Sequence, residues 1–318
     1  MANTMTKTSA DKPARERKNK AGNETSTVRK AKHGTIWTVV FTIISIIWIS
    51  PLLVVVMNSF KRKAYIFKYP FSLSSASITE GYAAWKAGFD KMFVGWTNYQ
   101  NAIEDTDFFQ SFANSLVITV GSVFLIILCC SMTAWYITRV KTKGTKLIYT
   151  LCLFSMIVPF QMVMFTLSKF ANILHLDNPL AICIVYLGFG AGLAIFMFTG
   201  FVQSVPLEIE EAAMIDGCTP PQTFFQVVMP IMKPTIITVA ILDAMWIWND
   251  FLLPYLVLNI NKYKTIPIAV QYLKQSHGQV DWGAMMAVLV LAIIPIVIFY
   301  IFCQKYIIEG VIAGAVKG

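Results

Sequence analysis

Charged residues are scarce in this chain, and their scarcity excludes most classes of soluble protein. Asp, Glu, Lys and Arg make up 14% of the 318 residues, whereas hydrophobic residues make up 56%. The mean hydropathy is +0.62. Ordinary soluble domains carry about 25% charged residues. The composition therefore predicts a membrane protein before any motif is considered.

The residue types that usually perform catalysis are few and dispersed. The three histidines, His33, His175 and His277, do not have the spacing of metal ligands, and no Ser-His-Asp or Cys-His arrangement stands out. Five of the six cysteines fall inside apolar runs, which favours a packing role over a disulfide framework. We therefore expect no metal site and no catalytic residues.

Apolar segments of membrane length are abundant. A bilayer core of ~30 Å needs about 20 helical residues. We predict an all-α membrane protein with six transmembrane helices, of which the fourth is rich in glycine (Gly188, Gly190, Gly192) and so permits close helix approach. The predicted spans are residues 35–59, 112–138, 146–167, 179–202, 235–258 and 284–303.

Basic residues are distributed unevenly along the chain. Residues 1–34 contain nine Lys and Arg and few large apolar side chains, which predicts a disordered basic tail before a membrane domain at 35–318. Four more basic residues lie between Arg139 and Lys146. If both termini are cytoplasmic, sixteen of the 26 Lys and Arg lie inside, as the positive-inside rule expects. The predicted orientation is therefore N-in and C-in.

One polar stretch, residues 203–234, separates the fourth and fifth predicted spans. Pro206 favours a helix start, and Gly217 can take the left-handed conformation that ends a helix. Thr219 and Gln222 have the spacing of a capping box for a second helix. The stretch is predicted to form a helical hairpin on the cytoplasmic side, suited to docking onto another protein. A loop packed under its own helix bundle is the alternative.

The predicted turn carries a short motif, in which Glu211-Ala212-Ala213 is followed by Gly217 and later by Met229-Pro230. This motif resembles the signature loop of permease subunits in binding-protein-dependent ABC importers, which reads E-A-A, three residues, G, and later an apolar residue and P. Further segments resemble the carbohydrate branch of that family, and within it the six-span G-type permease of the maltose system. They are Asn114-Ser115-Leu116, Trp248-Asn249-Asp250-Phe251, Thr265-Ile266-Pro267 and residues 309–318.

The resemblance implies a subunit of an ATP-driven importer that moves a sugar or oligosaccharide across the cell membrane of a prokaryote. It also implies three kinds of partner, namely a second, homologous permease that forms a heterodimer, two cytoplasmic ATPase subunits and an extracytoplasmic solute-binding protein. The chain has no Gly-x-x-x-x-Gly-Lys-Ser/Thr loop to cradle ATP phosphates. We therefore expect ATP and Mg to bind the ATPase subunits, and this chain to hold no cofactor.

Within the hairpin, the resemblance implies that the first helix seats in a cleft of the ATPase, where Glu211 pairs with a basic residue. Phe224 and the apolar second helix are expected to anchor the hairpin to the membrane bundle. The predicted ATPase-coupling residues are Glu210, Glu211, Ala212, Ala213, Asp216, Gly217, Phe224 and Pro230.

Polar side chains inside a span are candidates for solute contact, because charge is costly in a membrane. The spacing of Asp243, Trp246 and Asp250 predicts one face of the fifth helix. The alternative is that Asp250 caps or pairs locally and Asp243 bonds to a neighbouring helix. The predicted substrate-path residues are Gln161, Asp243, Trp246, Asn249 and Asp250.

Other interpretations stay open at this point. An importer of the same class could carry a peptide, polyol or sugar-phosphate. A membrane-embedded enzyme would need an acid/base or metal constellation, and an oligomeric channel would need no docking hairpin. The resemblance also implies that the outer loop 259–283, with Lys262, Lys264, Lys274, His277 and Asp281, contacts the solute-binding protein. A solvated connector is the alternative for that loop.

Overall fold

The protein is helical throughout most of the part that the computed structural model describes, residues 34–273 and 281–315, and no β-strand occurs in these ranges. The predicted basic tail before Gly34 and the loop residues Lys274 and His277 lie outside them. The helices are α1 Gly34–Ser59, α2 Lys63–Lys68, α3 Tyr82–Met92, α4 Thr97–Asp105, α5 Phe108–Arg139, α6 Lys143–Ile157, α7 Phe160–Ile173, α8 Ile182–Val202, α9 Leu207–Ile215, α10 Pro220–Ile231, α11 Lys233–Asn249, α12 Leu252–Val257, α13 Ile266–Leu273 and α14 Trp282–Ala315.

Four helices of the described residues, α1, α5, α8 and α14, are long and apolar enough to cross a membrane. Two further pairs of consecutive helices are long and apolar enough to cross a membrane when each pair is taken together, but each pair is sharply bent. The angle between α6 and α7 is 107°, and the angle between α10 and α11 is 76°. By length and composition, the described residues therefore contain four possible spans, or up to six if each bent pair is one span.

The predicted third span, 146–167, is not one continuous helix. The first helix, α6, ends at Ile157, and α7 begins at Phe160. Between them, Val158 and Pro159 have extended backbone conformations (ψ 116° and 134°). Proline cannot donate a backbone hydrogen bond, and its ring pushes the preceding residue out of the helical region. The chain therefore turns at Pro159, a position where proline is expected to kink or end a helix, and the apolar run 146–167 does not form a single helix.

The predicted fifth span, 235–258, is also interrupted. Its helix ends at Asn249, and Asp250 has an extended backbone (ψ 124°) before α12 begins. Asp250 Oδ1 accepts the backbone N–H groups of Leu252 and Leu253 at 3.0 and 3.5 Å, so its side chain caps the next helix. The prediction that Asp250 shares a helical face with Asp243 and Trp246 was therefore wrong.

Contacts divide the chain after Leu52 into two compact units. In the first unit, the described residues form one continuous stretch of α1. In the second unit, Leu53–Gly318, the described residues form two hydrophobic cores. The larger core is built mainly by α5, α8 and the segment between α9 and α11, and its largest fully buried side chains are Tyr186, Phe198 and Phe224.

Two glycines of α8 allow its neighbours to approach closely. A Cβ atom at Gly190 would lie 2.5 Å from Cδ1 of Ile126 in α5, and one at Gly192 would lie 2.9 Å from the carbonyl oxygen of Cys152 in α6. Gly188 has nothing within 4 Å of that position. The predicted close approach is therefore confirmed at Gly190 and Gly192 but not at Gly188.

The segment before α13 packs against the start of α5. Asn114 Nδ2 donates to the carbonyl oxygen of Lys264 at 3.0 Å, and the N–H of Ile266 donates to Ser115 Oγ at 2.9 Å. Two motifs that lie about 150 residues apart in the sequence therefore bind each other. Residues 264–266 of the predicted outer loop are therefore packed against α5.

Candidate functional site

The hairpin between α8 and α11 begins with α9, which ends in a left-handed glycine. Gly217 has a φ of +91°, as predicted from its position. Its N–H donates to the carbonyl oxygen of Met214 at 3.1 Å, and the N–H of Cys218 donates to that of Ala213 at 3.0 Å. These bonds satisfy carbonyl groups that the last helical turn would otherwise leave free. Glycine reaches this conformation without the steric cost that a side chain brings.

The second arm of the hairpin, α10, starts as predicted and then widens. Both the N–H and the hydroxyl of Thr219 donate to Gln222 Oε1 at 2.8 Å, and Pro220 occupies the first helical position. Phe224–Val228 forms a π-helical turn that ends two residues before Pro230. Pro230 has no N–H to donate to the carbonyl group four residues earlier, and a wider turn accommodates that loss.

Glu210 fastens α9 to the end of α5. Its side chain is 3% exposed, and its Oε1 accepts hydrogen bonds from Nε and Nη2 of Arg139 at 2.9 and 2.7 Å. Its Oε2 accepts the indole N–H of Trp135 at 2.9 Å. Arg139 Nη2 also donates to the carbonyl oxygen of Val205 at 3.0 Å. These are charge-assisted bonds with fixed geometry, and this is the only ion pair found among the described residues.

Phe224 fastens the second arm to the same place. It is 1% exposed, and its ring centroid lies 5.4 Å from that of Trp135. Val228 and Met232 are fully buried in the same core. Trp135 therefore joins both arms of the hairpin to α5, because its N–H binds Glu210 and its ring contacts Phe224.

Trp135 and Arg139 were missed as site residues in the sequence. Arg139 entered the sequence argument only as a basic residue that indicates orientation. Its partner Glu210 lies 71 residues away, and nothing in either local pattern connects them. The available signal was a lone arginine at the end of an apolar helix, which needs an acidic partner when it is partly buried.

The opposite side of α9 is free. Glu211, Ala212 and Asp216 are exposed, and Ile215 is 85% exposed, whereas Ala213 is buried. The Glu-Ala-Ala motif is therefore divided, with its first two residues facing outward and its third facing the protein. Met214 is exposed as well, so apolar side chains and carboxylates share this surface, which suits a partner with apolar and basic groups.

Two predicted substrate-path residues, Trp246 and Asp250, contact a tyrosine that the sequence did not single out. The Tyr186 hydroxyl donates to Asp250 Oδ2 at 3.0 Å, and its ring meets Trp246 edge-on at 5.6 Å. Asn249 follows Trp246 on α11, but its amide bonds locally to the carbonyl oxygen of Met245 at 2.7 Å. The structure thus brings Trp246 and Asp250 together through Tyr186, which is itself fully buried.

The remaining two substrate-path residues are not part of this group. Asp243 is 3% exposed, and its Oδ2 has no hydrogen-bond partner in the part of the chain that the structure describes. Gln161 is exposed near the start of α7. Among the described residues, no cluster of three or more His, Cys, Asp or Glu could hold a metal ion.

Comparison with known proteins agrees with the motif of the hairpin. Residues 126–312 match the family described as "Binding-protein-dependent transport system inner membrane component". The chain is 36% identical over 275 residues to the probable starch degradation products transport system permease protein AmyC of Thermoanaerobacterium thermosulfurigenes, covering 86% of this chain and 94% of the relative. It is 32% identical over 283 residues to the multiple sugar-binding transport system permease protein MsmG of Streptococcus mutans, covering 88% and 95%.

The fold has a solved counterpart. A structure of a bacterial ABC transporter involved in the import of the acidic polysaccharide alginate aligns with a TM-score of 0.67, covering 86% of this chain and 95% of that chain at 22% identity. The assignment to importer permeases that the sequence motif suggested is confirmed. The apolar helices fit a protein that crosses the membrane several times. The chain belongs to the binding-protein-dependent transport system inner membrane components, as permease subunits of sugar importers do.

Proposed function

We propose that this protein is the transmembrane permease subunit of an ATP-driven importer that carries a sugar or oligosaccharide delivered by an extracytoplasmic binding protein. The observation that carries the proposal is the two-sided hairpin. Its buried side is bound to α5 through Glu210 and Phe224, and its exposed side presents Glu211, Ala212 and Ile215. The relatives named for starch products and for multiple sugars support a sugar as the solute.

The fastening explains how a docked ATPase would move the membrane helices. A force applied to the exposed side of α9 passes to Arg139 through the two hydrogen bonds that Arg139 donates to Glu210, and to Trp135 through the ring of Phe224. Because these contacts are buried, the hairpin and α5 would move as one body. Closure of two ATPase subunits would then become rigid-body rocking of two membrane halves.

The same proposal includes the topology and the assembly. Each bent helix pair is one span, so that the chain crosses the cell membrane six times with both termini in the cytoplasm. A second, homologous permease completes the pathway, and two cytoplasmic ATPase subunits bind ATP and Mg. The distribution of Lys and Arg supports this orientation, because the basic cluster at Arg139–Lys146 lies at the same end of α5 as the hairpin.

For the solute path, the proposal keeps Asp243, Trp246 and Asp250 and adds Tyr186. Asp243 is a buried carboxyl with an oxygen that no described residue satisfies, which is the usual mark of a functional group in a membrane. Trp246 is 42% exposed and can stack on a sugar ring. The other predicted candidates, Gln161 and Asn249, have weaker support, since one is isolated and the other bonds locally.

The test compares uptake with ATPase activity in the assembled transporter. Glu211→Ala should lower sugar uptake and binding-protein-stimulated ATPase activity at least tenfold, because it removes the exposed charge that meets the ATPase, while the amount of protein in the membrane stays normal. The matched control is Glu80→Ala, which removes an exposed acid far from the hairpin. Normal uptake in Glu211→Ala would contradict the coupling role. Uptake of labelled oligosaccharides, peptides, polyols and sugar-phosphates by the unmodified transporter identifies the solute class.

A further inference from the structure

A cavity of about 570 Å³ with several basic residues in its lining lies beside the end of α5 that holds the hairpin. It is formed where α5 ends, α6 begins and α8 ends, so it sits at one end of three apolar helices. None of the residues proposed for solute transport lines it. Its polar lining includes Thr138, Lys141, Lys143, Lys146, Thr199 and Gln203.

The charge of this cavity is uncompensated. Four basic side chains line it, and none of the described residues in its lining is acidic. Arg139 is neutralised by Glu210, but Lys141, Lys143 and Lys146 are exposed and lie within 4.0 Å of no carboxylate in the described residues. The 15-residue helix α6 also begins at Lys143, so the positive end of its dipole points here. Both features attract an anion.

A buried hydroxyl group in the lining lacks a partner. Thr199 is 3% exposed, and its Oγ1 makes no hydrogen bond with any described residue. Threonine in a helix commonly donates to the carbonyl oxygen four residues earlier. Thr138, which also lines the cavity, does so to Ala134 within α5 at 2.7 Å. An unsatisfied buried hydroxyl calls for an explanation, and a bound ligand at the cavity supplies one.

We propose that this cavity binds a phosphoryl group. Three lysines on a short stretch of chain, a helix N-terminus and a hydroxyl group suit an anion with several oxygens, which accepts more hydrogen bonds than a carboxylate can. The group can come from an anionic phospholipid, since basic pockets between membrane helices commonly hold such headgroups. It can also come from a soluble phosphate ester. This site goes beyond the proposed transport function and requires neither ATP nor the solute.

The experiment measures ligand binding by the full-length chain purified in a mild detergent, by native mass spectrometry and by thermal shift. The probes are dioctanoyl phosphatidylglycerol, glycerol 3-phosphate and, as a probe without phosphate, dioctanoylglycerol. The test variants are the triple change Lys141→Gln, Lys143→Gln, Lys146→Gln and the single change Thr199→Val. The matched control removes three exposed lysines elsewhere, by Lys86→Gln, Lys91→Gln, Lys262→Gln.

We expect the lysine triple to weaken binding of the phosphorylated probes at least tenfold and Thr199→Val to weaken it about threefold, with the control and the unphosphorylated probe unaffected. Binding of the lipid probe alone identifies a phospholipid as the source, and binding of glycerol 3-phosphate identifies a soluble ester. Unchanged binding in either test variant overturns the proposal, and so does an equal loss in the control. If the lysine triple loses a copurifying ATPase but keeps the probes, the lysines form a protein-docking surface and the proposal is wrong.

Discussion

At the scale of single residues, Glu210 and Glu211 are neighbours in the chain with opposite environments. Glu210 is buried against Arg139 and Trp135, whereas Glu211 is exposed on the other side of α9. Residues one position apart on a helix do not face the same way. The two carboxylates therefore have separate tasks in the proposed mechanism, one holding the hairpin and the other meeting the ATPase.

Removing the inner carboxylate should destabilise the protein. Glu210→Ala leaves Arg139, which is 19% exposed, without its anionic partner, and breaking a buried ion pair in this way costs about 3–5 kcal/mol. Thermal unfolding of the purified chain should show this loss, and Arg139→Ala should show a loss of similar size. The double variant should lose less than the sum of the two. Additive losses would show that the pair does not act as one unit.

At the scale of elements, α8 packs closely against its neighbours because two of its contact residues are glycines. Gly190 and Gly192 face α5 and α6 at distances that leave no room for a Cβ atom, whereas Gly188 faces open space. Small residues at such positions let membrane helices gain van der Waals contact. Three glycines spaced two apart thus separate into two that set helix distances and one that does not.

Substitution of these glycines should separate the two cases. Gly192→Ala places a Cβ atom 2.9 Å from a backbone oxygen of α6, which cannot yield unless the helix shifts, and overpacking of this kind costs about 1–3 kcal/mol. Gly188→Ala should leave stability unchanged or raise it by up to about 1 kcal/mol, because alanine favours the helix. Thermal unfolding in detergent measures both. Equal stability of the two variants would contradict the close packing of α6 on α8.

The turn of the hairpin depends on backbone conformation and not on space. Gly217 has a φ of +91°, and nothing lies within 4 Å of the position that a Cβ atom would occupy, so any effect of substitution comes from strain. Gly217→Val should cost about 1–3 kcal/mol locally and uncouple ATP hydrolysis from uptake, because a β-branched residue resists this conformation. Gly217→Asn is the matched control, since asparagine tolerates it better. Equal uptake by both variants would contradict a fixed turn angle.

At the scale of the whole molecule, a feature could be predicted from the sequence when the residues that cause it are close together in the chain. Gly217, Thr219 and Pro220 each act on their own few neighbours, so the hairpin could be predicted directly. The bond between Glu210 and Arg139 spans 71 residues, and no local pattern encodes it. Pro159 indicated a disturbance in the third span, but the 107° angle depends on how α6 and α7 pack elsewhere.

The bent pair α6–α7 decides the topology of the entire chain. Between the loop after α1 and the hairpin, the chain passes through α5, the bent pair and α8. If the pair crosses the membrane, there are three crossings, and the loop and the hairpin lie on opposite sides. The other case, in which the pair enters and leaves by the same face, would put both on one side, and it does not fit the bond of Glu210 in the hairpin to Arg139, at the end of α5 farthest from the loop. The proposed six-span topology requires the first case.

A membrane-impermeant maleimide distinguishes the two cases in intact cells. The reporters are Cys218 in the hairpin, kept as a single cysteine after the other five are replaced by serine or alanine, and Ser77→Cys in the loop after α1, in a chain without other cysteines. Because three crossings separate them in the proposed topology, Ser77→Cys should react from outside, and Cys218 should react only after the membrane is opened. Labelling of both reporters in intact cells would contradict both the crossing of α6–α7 and the packing of the hairpin against the end of α5, and would remove the hairpin from the side where ATP is hydrolysed.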